Sequence, residues 1–196
     1  MNTLVVMFAK YPQAGKVKTR LAKNIGSEAA KNIYVTFLKQ LIHTHNNATE
    51  YTFTVSLSPE DKRSLFESEY SCQTVSQPGE ELGEKQNLTL KSHTAQYEQV
   101  IIIGSDLPTL SQQDITSTQL ALQKTDLVIG PAKDGGYYLI GAKNDKLNFE
   151  NIRWSTEHTL EDLLRNPKKQ HITYTFLEEK EDIDDVASLQ RLNKEK

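Results

Sequence analysis

The 196-residue chain carries 23 lysines and arginines against 26 aspartates and glutamates, a formal net charge of −3, with 37% hydrophobic and 25% charged residues. That balance describes an ordinary globular chain with no global attraction for nucleic acid or an anionic membrane, so any phosphate-binding charge has to be local. No apolar run approaches the ~18 residues of a membrane span, MNTLVVMFAK lacks a signal peptide's basic start and long core, and the lone cysteine, Cys72, excludes an internal disulfide. The expectation is one domain over residues 1–196, in a reducing, cytoplasmic compartment.

Residues 3–9, TLVVMFA, form a short apolar run bounded by turn residues and predict a strand covered on both faces. From Ser27, Ile33, Phe37 and Leu41 recur at helical spacing, with Tyr34, Leu38 and Ile42 broadening the face. YTFTVSL alternates as a strand, and the stretch from Pro59 begins like a helix with proline in its first turn. A weaker strand near 72–77 leads through PGEELGEKQ into a helix, and QVIIIGSD is a buried strand ending in an acidic loop. Ser111 then caps a helix that has Asp114 in its first turn, and DLVIGPAKDGGYYLIGA supplies two strands about a glycine-rich turn. STEHTLEDLLRN predicts a helix with Leu160, Leu163 and Leu164 near one face, HITYTFL a strand, and DDVASLQRLNK a last helix. The alternation predicts a three-layer α/β/α sandwich with a mainly parallel sheet.

Ligands of such sheets collect beyond the carboxyl ends of the strands, where three unusual segments fall. In FAKYPQAGKVKTRLA, Gly15 permits close backbone approach, Lys16, Lys18 and Arg20 offer charge, and the expectation is that Lys18 and Arg20 face phosphate while Lys10 and Lys16 line the rim. Neither GxGxxG nor a Walker A motif is present, so the segment by itself reads equally as a phosphate cradle or a solvated basic turn. In GSDLPTL, Asp106 either holds magnesium or manganese or caps the turn before Pro108. In DGGYYLIG, Asp134 either orients a sugar or acceptor hydroxyl or closes an Asp-Gly hairpin, with Tyr137 and Tyr138 alternating between faces. Asp182, Asp184 and Asp185 precede the last helix, where acids are commonly caps; the sharper reading returns Asp184 to the cation at Asp106. His43 and His45 read as surface or helix-end residues, His158 as structural or exposed on a helix, and Cys72 as packing. No serine or cysteine nucleophile with a base is evident.

Taken in order, FAKYPQAGKVKTRLA, GSDLPTL, GPAKDGGYYLIG, IRWST and DIDDVASL resemble a bacterial family of GT-A-fold, glycosyltransferase-like proteins of the nucleotide-diphospho-sugar transferase superfamily. Some of its members are assigned to arsenosugar biosynthesis, and the likeness runs from near Val5 to near Leu192. The fold is similar to that of the molybdenum cofactor and phospholactate guanylyltransferases. The resemblance implies an enzyme with a nucleoside-binding half, Mg2+ or Mn2+ near Asp106, and an acceptor half around Asp134. Carried over residue by residue, it assigns Lys18 and Arg20 to phosphate and Asp106 and Asp184 to the metal; an inverting transfer would also need a base near the acceptor hydroxyl, for which Asp134 is the candidate. Two stretches depart from the family pattern: EELGEKQ puts Lys85 and Gln86 where arginine and methionine are usual, and DIDD replaces DVDTPEDL.

These readings predict metal-dependent glycosyl transfer from a nucleotide-diphosphate sugar to a small acceptor. Nucleotidyl transfer from an NTP, releasing pyrophosphate, and noncatalytic nucleotide binding are the alternatives.

Overall fold

Alternate residues of the first strand, β1 (Thr3–Lys10), feed two different cores. Val5, Met7 and Ala9 join one buried cluster, while Leu4 and Val6 join another. Successive strand side chains point to opposite faces, so a strand apolar from Leu4 to Ala9 has to be covered on both. The computed structural model, which describes residues 2–143 and 145–194, covers them with helices.

In chain order β1 is followed by α1 (Thr19–Ile25), α2 (Ser27–Asn46), β2 (Thr52–Ser58), a 3₁₀ turn at Glu60–Lys62, α3 (Arg63–Tyr70), β3 (Thr74–Ser76) and α4 (Leu82–His93). Then come β4 (Gln99–Ile103), α5 (Gln112–Leu122), β5 (Leu127–Pro131), β6 (Tyr137–Ala142), α6 (Thr159–Leu163), α7 (Arg165–Gln170), β7 (Tyr174–Phe176) and α8 (Val186–Lys194). The seven strands form one sheet in the order β3-β2-β1-β4-β6-β5-β7. All pairings are parallel except those of β6, which runs antiparallel to β4 and β5. The expected α/β architecture with a mainly parallel sheet is therefore present. No helix among the described residues is long and apolar enough to cross a membrane.

The face of α2 is the predicted one, with Tyr34, Phe37, Leu38, Leu41 and Ile42 buried. Truncating a fully buried leucine such as Leu38 to alanine would cost about 2–5 kcal/mol. At the start of α5, Ser111 and Asp114 form a reciprocal capping box. Tyr137 and Tyr138 part as expected, one packing on the second cluster and the other buried in the first.

Two expectations need correction. His45 lies at the end of α2 but is fully buried, its Nδ1 2.7 Å from the Tyr51 hydroxyl and its ring stacked on Phe53. Burial holds its pKa down at about 4, although the Leu110 backbone and the Asp114 charge oppose the shift. The helix expected across 155–166 starts only at Thr159 and breaks at Leu164. Asn151 and Ser155 adopt left-handed backbone conformations, and the Thr159 hydroxyl bonds the Arg153 and Thr156 carbonyls, so the IRWST stretch is a tied loop. His158 accordingly precedes α6 as its N-cap.

Candidate active site

The carboxyl ends of β1 and β4 lie side by side, and Tyr34 of α2 ties them together. Its hydroxyl accepts from the Lys10 backbone N–H at 3.1 Å and lies 3.0 Å from Ser105 Oγ. Burial pushes the Tyr34 phenol far above its ordinary pKa, with the Asp106 charge adding to the effect, so this tie stays neutral. The Ile183 N–H donates to the Asp106 carbonyl at 3.0 Å and brings the DIDD segment against the β4 loop.

Between these loops sits the Lys18 ammonium. It lies 2.5 Å from Asp106 Oδ1, 3.0 Å from Asp184 Oδ1 and 2.7 Å from the Ile183 carbonyl, with the Phe37 ring 5.6 Å away. The Lys18 side chain is 2% exposed, against 45% for Asp106 and 36% for Asp184. Its backbone is left-handed at φ 47°, a conformation costing a non-glycine residue roughly 1 kcal/mol, and these contacts hold it there. Arg20 is open, 60% exposed, with Nη1 3.5 Å from Asp184 Oδ2. Three hard oxygens thus surround a point already occupied by a cation, which is the donor chemistry that suits magnesium or manganese. Among the described residues no group of three Asp, Glu, His or Cys side chains is arranged to hold a metal, so phosphate and water oxygens would have to complete such a shell.

Two cavities open from this point. The larger, about 580 Å³, is lined by Lys10, Lys16, Lys18, Arg20 and Lys85 together with Asp106 and Asp184. The smaller, about 300 Å³, is lined by Asp106, Asp134, Glu157, Asp182 and Asp184, with Arg20 its one basic lining residue. Arg20, Leu82, Asp106, Tyr137 and Asp184 line both, so the cavities adjoin along a shared wall. Gly15 lines neither; it lies in the turn preceding Lys16.

The wall of the smaller cavity depends on two close approaches. Gly135, at φ +87°, lies where a Cβ would come 2.2 Å from the Glu157 carbonyl oxygen, so only glycine lets the IRWST loop close over the hairpin. A Cβ on Gly83 would meet the Trp154 ring at 2.7 Å, which explains the glycine inside EELGEKQ. Arg153 then clamps the loop to α6: its Nε donates to Asp162 Oδ2 at 2.7 Å and its Nη2 to Oδ1 at 2.9 Å. This bidentate bond holds the Asp162 carboxyl far below the usual carboxylate range. Asp134 Oδ1 accepts from the Gly136 N–H at 2.9 Å, so the residue closes the turn and lines the cavity at once.

The acids before α8 divide their work. Asp185 is the cap, accepting from the Ser188 N–H at 2.8 Å, while Asp184 turns back toward Asp106 through Lys18. Asp182, not singled out as a site residue in the sequence reading, lines the smaller cavity and has its carboxyl pushed up to about 7. Burial is the main cause, followed by the charges of Asp106, Asp134 and Asp184, with Lys18 opposing. The D-I-D spacing was the available signal, since residues two apart in an extended segment share a side and the intervening Ile183 is buried. Lys85 and Gln86 are also brought to the site, with Gln86 accepting a 2.5 Å bond from the Tyr137 hydroxyl.

A family profile described as an uncharacterized protein conserved in bacteria, DUF2064, matches residues 41–156. A 2-phospho-L-lactate guanylyltransferase from Methanocaldococcus sp. (strain FS406-22) is 27% identical over 134 residues, covering 67% of this chain and 56% of the relative, so the chain spans little more than half of that protein. A crystal structure from Desulfovibrio desulfuricans G20, provisionally assigned as a nucleotide-diphospho-sugar transferase, superposes with a TM-score of 0.89 at 28% identity over 97% of this chain and 85% of the other. The 4-diphosphocytidyl-2C-methyl-D-erythritol synthase of Anaerococcus prevotii DSM 20548 shares the fold, with a TM-score of 0.61 at 12% identity over 98% and 97% of the two chains.

Proposed function

The chain belongs to the DUF2064 family of uncharacterized bacterial proteins, and we propose that it is a transferase acting on a nucleotide-activated donor, passing a glycosyl group from a nucleotide-diphosphate sugar to a small acceptor. The observation that carries this reading is the meeting of a lysine- and arginine-lined cavity with the Asp106–Asp184 pair at its edge. Such a cavity suits a phosphate chain, and the pair suits the cation that would neutralise it.

In this reading Arg20 faces the diphosphate with Lys16 beside it, and Lys18, expected at phosphate but engaged here by both carboxylates, holds them in register until a ligand draws it away. Asp106 and Asp184 would hold magnesium or manganese, which would supply charge neutralisation at the leaving diphosphate. The acceptor oxygen bonds to the anomeric carbon as the bond from that carbon to the phosphate oxygen breaks. The electron pair leaves with the nucleoside diphosphate, and Asp134 takes the hydroxyl proton. Gly15 shapes the loop.

The guanylyltransferase relative favours a second reading, in which the acceptor attacks an NTP and pyrophosphate leaves. Product identity separates them. Purified protein incubated with manganese and a panel of nucleotide sugars and NTPs should release nucleoside diphosphate. Pyrophosphate instead would establish the second reading, and ligand-raised melting without either product would leave a noncatalytic nucleotide-binding protein.

A further inference from the structure

The smaller cavity gathers more carboxyl groups than it has basic partners. Asp106 and Asp184 share Lys18, and Arg20 leans on Asp184 at 3.5 Å. With Asp134 assigned to the acceptor hydroxyl, Asp182 and Glu157 are left on the wall of the same cavity. Glu157 is largely exposed and meets the His158 ring at 3.6 Å, a solvated contact that neutralises little.

This surplus is not gathered at one point: among the described residues no three such side chains stand together around a shared position. It is spread instead around a space of about 300 Å³ whose remaining wall is partly apolar, with Trp154 and Leu82. A cavity of that size with an aromatic side and separated carboxylates matches an organic cation with a carbon frame. It opposes a phosphate ester or carboxylate, which would meet like charge on most of its surface.

Resting on the transferase reading above, we propose that the acceptor is a small hydroxylated amine, its ammonium against Asp182 and Glu157 and its hydroxyl toward Asp134 and the donor. The 2-phospho-L-lactate named for the relative, an anion at both its phosphate and its carboxylate, is then excluded as an acceptor here.

Saturation-transfer NMR on the intact chain with glucosamine, glucose and 2-phospho-L-lactate tests this. Glucosamine should bind about tenfold more tightly than glucose, with 2-phospho-L-lactate weakest, because one ammonium beside two partly screened carboxylates is worth about one decade. The double variant Asp182→Asn/Glu157→Gln, verified as folded by its melting curve, should bring glucosamine down to the level of glucose. Equal binding of the two sugars, tighter binding of 2-phospho-L-lactate, an unaltered preference in the double variant, or silence from glucosamine would each overturn the proposal. The donor reading is scored separately, by the rise in melting temperature with UDP-glucose or GTP and manganese. If no nucleotide raises it while the glucosamine preference holds, the donor reading fails and the amine site stands.

Discussion

The two cavities are built on one sheet, share a wall, and differ in sign. The larger takes its lysines from the loop after β1 and from α4, and the smaller takes its carboxylates from the β5–β6 hairpin, the IRWST loop and the DIDD segment. Lys18, Asp106, Asp184 and Arg20 lie on the boundary, two cations against two carboxylates. The difference teaches that a net charge of −3 conceals two adjoining cavities of opposite lining. An anion and a cation can be drawn to adjoining places and held close enough to react.

The strongest way to break the comparison is to remove its boundary. Asp106→Asn should lower manganese-dependent affinity for UDP-glucose or GTP by more than about a hundredfold in isothermal titration, with circular dichroism unchanged. Unaltered metal-dependent affinity would take Asp106 out of the cation site. Next in size, Arg20→Ala should weaken nucleotide binding by about tenfold and tighten glucosamine binding, because the same guanidinium faces both cavities. A change of the same sign for both ligands would deny the segregation of charge. Lys16→Ala should reproduce only the nucleotide half of that result.

A smaller effect tests the wall of the smaller cavity. Trp154 is the only tryptophan in the chain, so its emission reports the IRWST loop directly. Asp162→Asn should shift that emission to the red and lower the melting temperature, while nucleotide binding changes little. Since the Asp162 carboxyl is held below its ordinary range, its contribution is intact at neutral pH and is lost as pH falls through the depressed folded value. A red shift already present at pH 5 would contradict the clamp. The smallest effect on either ligand belongs to His45. The unfolded chain binds a proton there below about pH 6.5 that the folded chain refuses until about pH 4, so stability should fall with pH across that window. His45→Gln should flatten the fall in urea denaturation and leave both binding reactions alone.

The layering was legible because it depends on local pattern. A continuous apolar run such as residues 3–9 has one stable use, and the Ser111–Asp114 cap needs residues only three apart. The site was legible in its parts but not in its contacts. Lys18 reads as a free cation in its own segment, yet its partner Asp184 lies 166 residues along the chain. Asp182 was hidden because its shifted carboxyl depends on burial supplied by other elements. His45 stands at the helix end as expected, but its burial was not legible because helical position says nothing about the Tyr51 and Phe53 packed against it. The late start of α6 depends on side-chain bonds from Thr159 that compete with helix formation.

The bond from the Ile183 N–H to the Asp106 carbonyl gives the protein a timetable. Strands β1 to β4 and the cationic loop leave the ribosome long before Ile183, and domains acquire structure as they are made. Until that late segment arrives, Lys18 has neither the Ile183 carbonyl nor Asp184 to hold it. A nascent chain therefore passes through a stage with most of its sheet available and the Lys18 ammonium still lacking two of its three oxygen partners.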